Sequence, residues 1–195
     1  MEPAFASLLG YLLGAIPFGL LLARFGGAGD LRKVGSGNIG ATNVLRTGRR
    51  GLAAGTLLLD LAKGLAAVLL ARALWPGSEA YAGVAAVVGH CFSLWLRFRG
   101  GKGVATLMGA ALGLAWPIGL AFALVWLGAL AVSRISSVGG MAAAISAPIA
   151  ASALGHGDYS PALALIAALI LIRHRANIVR LASGTEPRLG KGHGG

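Results

Sequence analysis

Charge is scarce in this chain. Only 12% of its 195 residues are Asp, Glu, Lys or Arg, against about 25% in an ordinary soluble domain. With 56% apolar residues and a mean hydropathy of +0.78, that deficit argues against a soluble globular domain, a disordered chain and a coiled coil. Acid is scarcer still: six Asp and Glu stand against seventeen Lys and Arg, a net charge of +11. On a soluble domain such a balance points to nucleic acid. Beside long apolar runs it points to a membrane protein with a basic face, and nucleic acid is not an expected partner. The one cysteine, Cys91, excludes an internal disulfide and a Cys-based zinc cluster. Four histidines and few carboxylates make a poor ligand set, so no metal and no cofactor are expected. Glycine, by contrast, is abundant at 32 residues without a three-residue period. That excludes collagen and suits packed transmembrane helices.

Residues 3–23 carry no charge, and at about 1.5 Å per residue they span about 30 Å, one hydrocarbon core. Glu2 stands where a cleaved signal needs positive charge, and no small-residue cleavage pattern follows, so a retained helix is expected. Residues 24–50 form a polar, basic, Gly-rich loop. Residues 51–74 are apolar apart from Asp60, Lys63 and Arg72, Trp75-Pro76-Gly77-Ser78 reads as a turn, and residues 80–96 are apolar again. Residues 97–103 form a short basic loop. The run 103–133 then passes without a charge; as one helix it would be about 46 Å long, too long for one span without strong tilt.

Charge decides how that run is cut. A hairpin at Trp116-Pro117 puts every basic cluster on one side of the membrane and Glu2, Glu79 and Asp158 on the other. A single long helix would send the basic tail (Arg173, Arg175, Arg180, Arg188 and Lys191) outside. The positive-inside rule favours the hairpin. Further spans at 138–154 and 160–173 complete an all-α integral membrane protein. The expected architecture is a seven-transmembrane-helix bundle, N-terminus outside and C-terminus cytoplasmic, forming a single domain over 1–195.

Three stretches on the basic side carry the chemistry. The first, Gly35-Ser36-Gly37-Asn38-Ile39-Gly40-Ala41-Thr42-Asn43-Val44-Leu45-Arg46, has glycines dense enough for backbone N–H groups to face an anion. It fits the phosphate-loop pattern except that Ala41 stands where the nucleotide-binding Lys belongs, and no strand precedes it. A phosphate cradle without a nucleotide is expected; the plain alternative is a connector between two helices. The second runs Gly89-His90-Cys91-Phe92-Ser93, then Arg97 to Thr106, with Lys102 between glycines just before a helix. A cation and a helix start there suit a phosphate, whereas Arg97 and Arg99 equally suit lipid headgroups. Apolar-flanked His90 reads as a packing or hydrogen-bonding residue. The third stretch is Arg173-His174-Arg175-Ala176-Asn177-Ile178-Val179-Arg180. Its spacing puts Arg173, His174, Asn177 and Arg180 on one face at the close of the last helix; snorkelling arginines at a helix stop are the alternative. Asp60 and Lys63, three apart within a span, read as a structural ion pair in preference to a functional one. Ser136 and Ser137 read as helix caps, with donation to a ligand the alternative.

Together these stretches suggest an anion site, for phosphates, at the cytoplasmic interface beside a bundle able to hold an acyl chain. The strings GSGNIGATNVLRTG, LLLDLAKG, GHCFSLWLRFRGGKGVAT and RHRANIVRL followed by SGTEPR resemble the bacterial acyl-phosphate-dependent glycerol-3-phosphate acyltransferases, the PlsY family, over essentially the whole chain. The resemblance implies that an acyl group passes from an acyl phosphate to the 1-hydroxyl of sn-glycerol 3-phosphate, giving lysophosphatidic acid and phosphate, in the bacterial cytoplasmic (inner) membrane. It implies that Ser36, Gly37, Asn38, Gly40, Thr42 and Asn43 cradle the donor phosphate. Arg46, Lys102, Ser137, His174 and Asn177 would hold the acceptor, with His174, Lys102 and Asn177 as the catalytic groups. The expected partners are the two substrates and membrane lipid, and a monomer is expected. Two departures stand out: Ser93 replaces the usual Pro after His-x-Phe, and Ile135 an aromatic after Arg134.

An acyl phosphate has a good leaving group, so no covalent enzyme nucleophile is required, and positioning with charge neutralisation carries the acceleration. The hydroxyl proton goes to His174 or, preferably, to a donor phosphate oxygen. No Asp stands five places after any of the four His, so the His-Asp pattern of other glycerolipid acyltransferases is absent. Cys91 has no Lys or Arg beside it in sequence and reads as inert. A transporter of a phosphorylated metabolite is the alternative, but no inverted repeat is visible and the outer face lacks cations. A structural subunit whose basic loops hold anionic lipid is a second.

Overall fold

Proline and glycine decide where these apolar helices stop and how closely they pack. In a computed structural model describing residues 1–189, ten α-helices follow one another, and no strand occurs among the described residues. Lys191 and His193 lie outside the described residues. The first span is two helices, α1 (Glu2–Ala15) and α2 (Phe18–Phe25), which corrects the expectation of one uninterrupted helix. Pro17 causes the break: Ile16 before it takes an extended conformation (ψ 119°), as residues preceding proline do. The carbonyls this frees are met from far along the chain. Lys63 Nζ donates to Ile16 O at 2.9 Å and Ser93 Oγ to Ala15 O at 2.6 Å. Ser93 therefore adds a hydrogen bond that a proline there could not make.

The short α3 (Ala41–Leu45) sits in the first loop. After it come α4 (Arg50–Leu74), the expected turn with Gly77 at φ +87°, and α5 (Glu79–Cys91). The long apolar run is cut at Ala115 (φ −156°, ψ 126°) into α6 (Val104–Leu114) and α7 (Trp116–Ser133), as the Trp116-Pro117 hairpin requires. Gly119 of α7 lies flush against Leu112 of α6, a contact that residues seven apart reach only when the chain folds back. Next come α8 (Ser136–Ala153) and α9 (Ser160–Arg173). A further helix, α10 (Arg175–Ala182), follows α9 with a bend of 59° at His174. That bend corrects the expected single face: Arg173 ends one helix, whereas Asn177 and Arg180 belong to the next.

Small residues form the seams. Gly10 and Gly14 of α1 meet the backbones of Ala82 and Ala86 of α5, and Gly64 of α4 and Gly109 of α6 meet Thr106 and Leu61. A Cβ at any of the four would overlap backbone, so these helices approach as closely as small-residue interfaces in membranes do. Four stretches are long and apolar enough to cross a membrane: Glu2–Phe25, Glu79–Leu96, Trp116–Ser133 and Ser136–Ala153. Taken as one broken span, the bent pair ending at Ala182 would make a fifth among the described residues. Helix α6 is apolar but only eleven residues long, and α4 carries Asp60 and Lys63 inside it. The outer surface exposes Leu12, Leu58, Leu124, Val132 and Ile149, side chains that a soluble fold would bury. At one end of the bundle Tyr159 Oη donates to Glu79 Oε1 (2.8 Å), and Arg72 donates to Leu114 O (2.9 Å). At the other end the basic loops meet.

Candidate active site

The first loop is built around one amide. Asn43 is buried, and its Nδ2 faces the carbonyls of Leu31, Val34 and Asn38 at 3.0, 3.0 and 2.7 Å. Its Oδ1 accepts from Ser36 N–H at 3.1 Å. Gly35 sits at φ +52°, and a Cβ there would press on Asn43 Oδ1 and Arg46, so the turn needs glycine. Asn38 Oδ1 accepts from Gly40 N–H (2.9 Å), and Gly37 N–H donates to Val34 O (2.9 Å). The N–H groups of Ser36, Gly37 and Gly40 are thus spent inside the loop, and Gly37 does not line the cavity described below. What lines the cavity to meet an anion is the Asn38 amide Nδ2, the Arg46 guanidinium, Ser36 Oγ, held by a long 3.4 Å hydrogen bond to Asn43 Oδ1, and Thr42 Oγ1, which shares a hydrogen with Ser136 Oγ at 2.9 Å. Ser136 therefore docks the loop onto α8. It does not cap that helix, and neither does Ser137.

The second loop is pinned from both sides. Gly100 and Gly101 N–H donate back to the carbonyls of Cys91 and His90 (3.1 and 3.0 Å). Arg173 donates to the carbonyls of Gly101 and Gly100 at 3.1 and 3.0 Å while covering the Phe92 ring. This projects Lys102, whose Nζ donates to Asn177 Oδ1 at 2.5 Å. Burial pushes the Lys102 ammonium down to about 8; Glu186 opposes that shift, and Arg180, Arg46 and Arg173 add to it.

The third stretch meets the chain's last acid. Glu186 Oε1 accepts from Ser137 Oγ (2.7 Å) and Asn177 Nδ2 (2.5 Å), and Oε2 accepts from Arg180 Nε (2.6 Å). Burial raises the Glu186 pKa, but these three donors outweigh it and hold the carboxyl below the usual range. Sequence reasoning assigned Glu186 no role. The available signal was an isolated acid inside a basic tail, the only one after Asp158. His174, 2% exposed, has Nδ1 at 2.8 Å from Ile170 O. A carbonyl only accepts, so Nδ1 carries the hydrogen and Nε2 faces inward, toward the space that Gly140 leaves open. Leu189 N–H donates to Arg134 O (2.7 Å), closing the tail over the start of α8.

All these elements border one cavity of about 850 Å³. Its polar end holds Ser36, Arg46, Lys102, Ser137, His174 and Asn177; its apolar length runs along Leu57, Leu58, Leu61, Met108, Phe122 and Trp126. Leu58 and Leu127 on its wall are more than half exposed on the outer surface of the bundle, so the apolar part opens sideways. Among the described residues no three His, Cys, Asp or Glu side chains are grouped to hold a metal. Cys91 is fully buried among Val87, Ile170 and Gly103 and does not line the cavity. Cys91→Ala is therefore expected to leave turnover within about twofold, since it removes one buried sulfur from a core that tolerates small apolar swaps. Loss of activity in a folded Cys91→Ala sample would revive a thiol mechanism.

A family model described as glycerol-3-phosphate acyltransferase matches residues 4–184. The chain is 65% identical over 190 residues to a glycerol-3-phosphate acyltransferase of Novosphingobium aromaticivorans and 56% identical over 190 residues to one of Erythrobacter litoralis. In each case 97% of this chain and 96% of the relative are covered. Among solved structures it is similar to PlsY, an integral membrane glycerol 3-phosphate acyltransferase, in its glycerol 3-phosphate form, with TM-score 0.91 and 37% identity, covering 97% of this chain and 96% of the other. The lysophosphatidic acid form of PlsY aligns with TM-score 0.88 at 34% identity over the same shares.

Proposed function

The chain belongs to the glycerol-3-phosphate acyltransferase family of integral membrane proteins, and from that premise we propose that it moves an acyl group from an acyl phosphate to the 1-hydroxyl of sn-glycerol 3-phosphate. The observation that carries this reading is the joining, in one cavity, of a cationic, hydroxyl-lined end and an apolar length open to the side. A water-soluble phosphate ester enters from the basic end, and an acyl chain slides in from the bilayer along Leu58, Met108 and Trp126. Their reactive groups meet beside Lys102.

In the reaction the acceptor C1 oxygen attacks the acyl carbonyl carbon. The bond from that carbon to the phosphate oxygen breaks, and phosphate leaves with the electron pair. The hydroxyl proton passes to an oxygen of the departing phosphate, so proton and charge balance without a protein base. Fixing both reactants in place supplies on the order of 7–11 kcal/mol of the barrier. Lys102 and Arg46 hold the acceptor phosphate with the second Nδ2 hydrogen of Asn177. Ser137 Oγ, which gives its own hydrogen to Glu186, accepts from an acceptor hydroxyl, and His174 Nε2 orients the attacking hydroxyl. Ser36, Asn38 and Thr42 face the donor phosphate, while Asn43, Gly37 and Gly40 hold the loop's shape.

The membrane arrangement follows the same reading. On this reading the chain crosses the membrane seven times, α4 and the short α6 included, as one domain. By the excess of positive charge on the loops, the basic side faces the cytoplasm and Glu2 the outside of the bacterial inner membrane. A monomer holds every proposed site residue.

The test is phosphate release by the purified, detergent-solubilised full chain given palmitoyl phosphate, with and without sn-glycerol 3-phosphate. Release that depends on the acceptor, with lysophosphatidic acid formed, is expected. A folded sample that releases none, or releases phosphate at the same rate without acceptor, refutes the acyl-transfer reading.

A further inference from the structure

Two buried polar side chains line the cavity and take no part in the chemistry above: Asp60 of α4 and His90 near the end of α5. Asp60 Oδ1 lies 2.7 Å from Lys63 Nζ and 3.5 Å from His90 Nδ1. Lys63 has a structural task already, since it closes the broken first span through Ile16. His90 does not. Its Nδ1 has no hydrogen-bond partner among the described residues, and the group it faces is the Asp60 carboxylate, which attracts the N–H edge of the ring.

The opposite edge of the ring meets the second loop. His90 O accepts from Gly101 N–H, which turns the loop back over the end of α5. The ring's Nε2 lies so close against Gly101 that a Cβ on that residue would overlap it. Lys102 is the next residue along. The loop bearing the buried cation therefore rests on an imidazole edge whose rotation Asp60 restricts, while Arg173 grips the carbonyls of Gly100 and Gly101. Remove the ring and Lys102 loses the surface that sets its position, although its own contact to Asn177 stays available.

We propose that His90, oriented by Asp60, is a positioning residue that sets Lys102 against the acceptor phosphate. This rests on the reading of Lys102 as that phosphate's cation. Displacing a binding group by about 1 Å costs up to about 10²-fold in rate, so the seat of the loop matters to the reaction without touching the substrate.

The test is a kinetic cycle on the purified full chain with palmitoyl phosphate and sn-glycerol 3-phosphate: Gly101→Ala, His90→Ala and the double variant. Gly101→Ala drives a Cβ into the ring and is expected to raise KM for the acceptor about tenfold, with KM for palmitoyl phosphate within about twofold. Removing the ring makes room for that Cβ, so the double variant should be no worse than His90→Ala alone. Losses that multiply in the double variant mean two independent sites and overturn the proposal. Should His90→Ala fail to give a monodisperse sample, His90→Gln takes its place in the cycle, because a flexible amide yields to the Cβ where a rigid ring does not. Asp60→Asn should raise the acceptor KM in the same sense, by about threefold or more; an unchanged acceptor KM removes Asp60 from the device. Lys102→Ala with a wild-type acceptor KM would refute the reading of Lys102 itself, a result separable from a failed cycle.

Discussion

Lys102→Ala is expected to lower kcat/KM for sn-glycerol 3-phosphate by about 10²–10³-fold, because losing one partner of a buried charge pair costs about 3–4 kcal/mol. The side chain is mostly buried, and its ammonium sits between Asn177 and the cavity. The fold should survive, since the loop is held by backbone bonds to His90 and Cys91 and by Arg173. The same residue predicts a pH effect. Burial lowers its pKa to about 8, so the free protein carries the cation below that pH and loses it above. Then kcat/KM for the acceptor, which reports the free enzyme, falls as pH rises through about 8. Lys102→Arg removes that bend, because a guanidinium stays charged throughout the range. Wild-type turnover in Lys102→Ala, or the same bend in Lys102→Arg, would take Lys102 out of the phosphate site.

How much of this was legible beforehand depends on whether the deciding contacts were local. The helices over 51–74, 80–96, 138–154 and 160–173 followed from charge-free or nearly charge-free runs, and all four stretches are helical to within a few residues. The cut near Trp116 was legible for a global reason: an uncut run was too long for a bilayer and put the basic tail on the wrong side. The break at Pro17 was not, because the apolar run is continuous there. What makes the break tolerable are donors 47 and 78 positions away, Lys63 and Ser93. The bend at His174 was hidden for a similar reason. The spacing of His174, Asn177 and Arg180 fits one helix, whereas in the structure Arg173 is tied to the distant Gly100 and Gly101 and the chain bends by 59° just after it. In the first loop, residue type was readable but task was not. Asn43 looked like a phosphate ligand, yet its amide is committed to the loop's own carbonyls, a pairing that no spacing rule shows.

Glu186 is the strongest case of such hidden partnership, and its replacement is expected to be nearly as damaging as loss of Lys102. Its two oxygens accept from three donors, Ser137 of α8 and Asn177 and Arg180 of α10. Two of those donors are proposed acceptor ligands, and the third cation would otherwise crowd Lys102. Glu186→Gln keeps the shape and inverts part of the pattern: one oxygen becomes an NH2 group, so at least one donor must face another donor. Each charge-assisted bond contributes about 1.5–3 kcal/mol, so a loss of roughly 30-fold or more in kcat/KM for the acceptor is expected. Removing the anion also withdraws the attraction that opposes burial at Lys102. The kcat/KM bend should therefore move to lower pH in Glu186→Gln, a shift that simple loosening of the tail would not produce. Acceptor kinetics across pH, alongside a thermal melt in detergent, separate the two. A variant that melts early but keeps the wild-type bend assigns Glu186 to tail anchoring alone, whereas a stable variant with a raised acceptor KM and a displaced bend places its carboxylate in the electrostatics of the site.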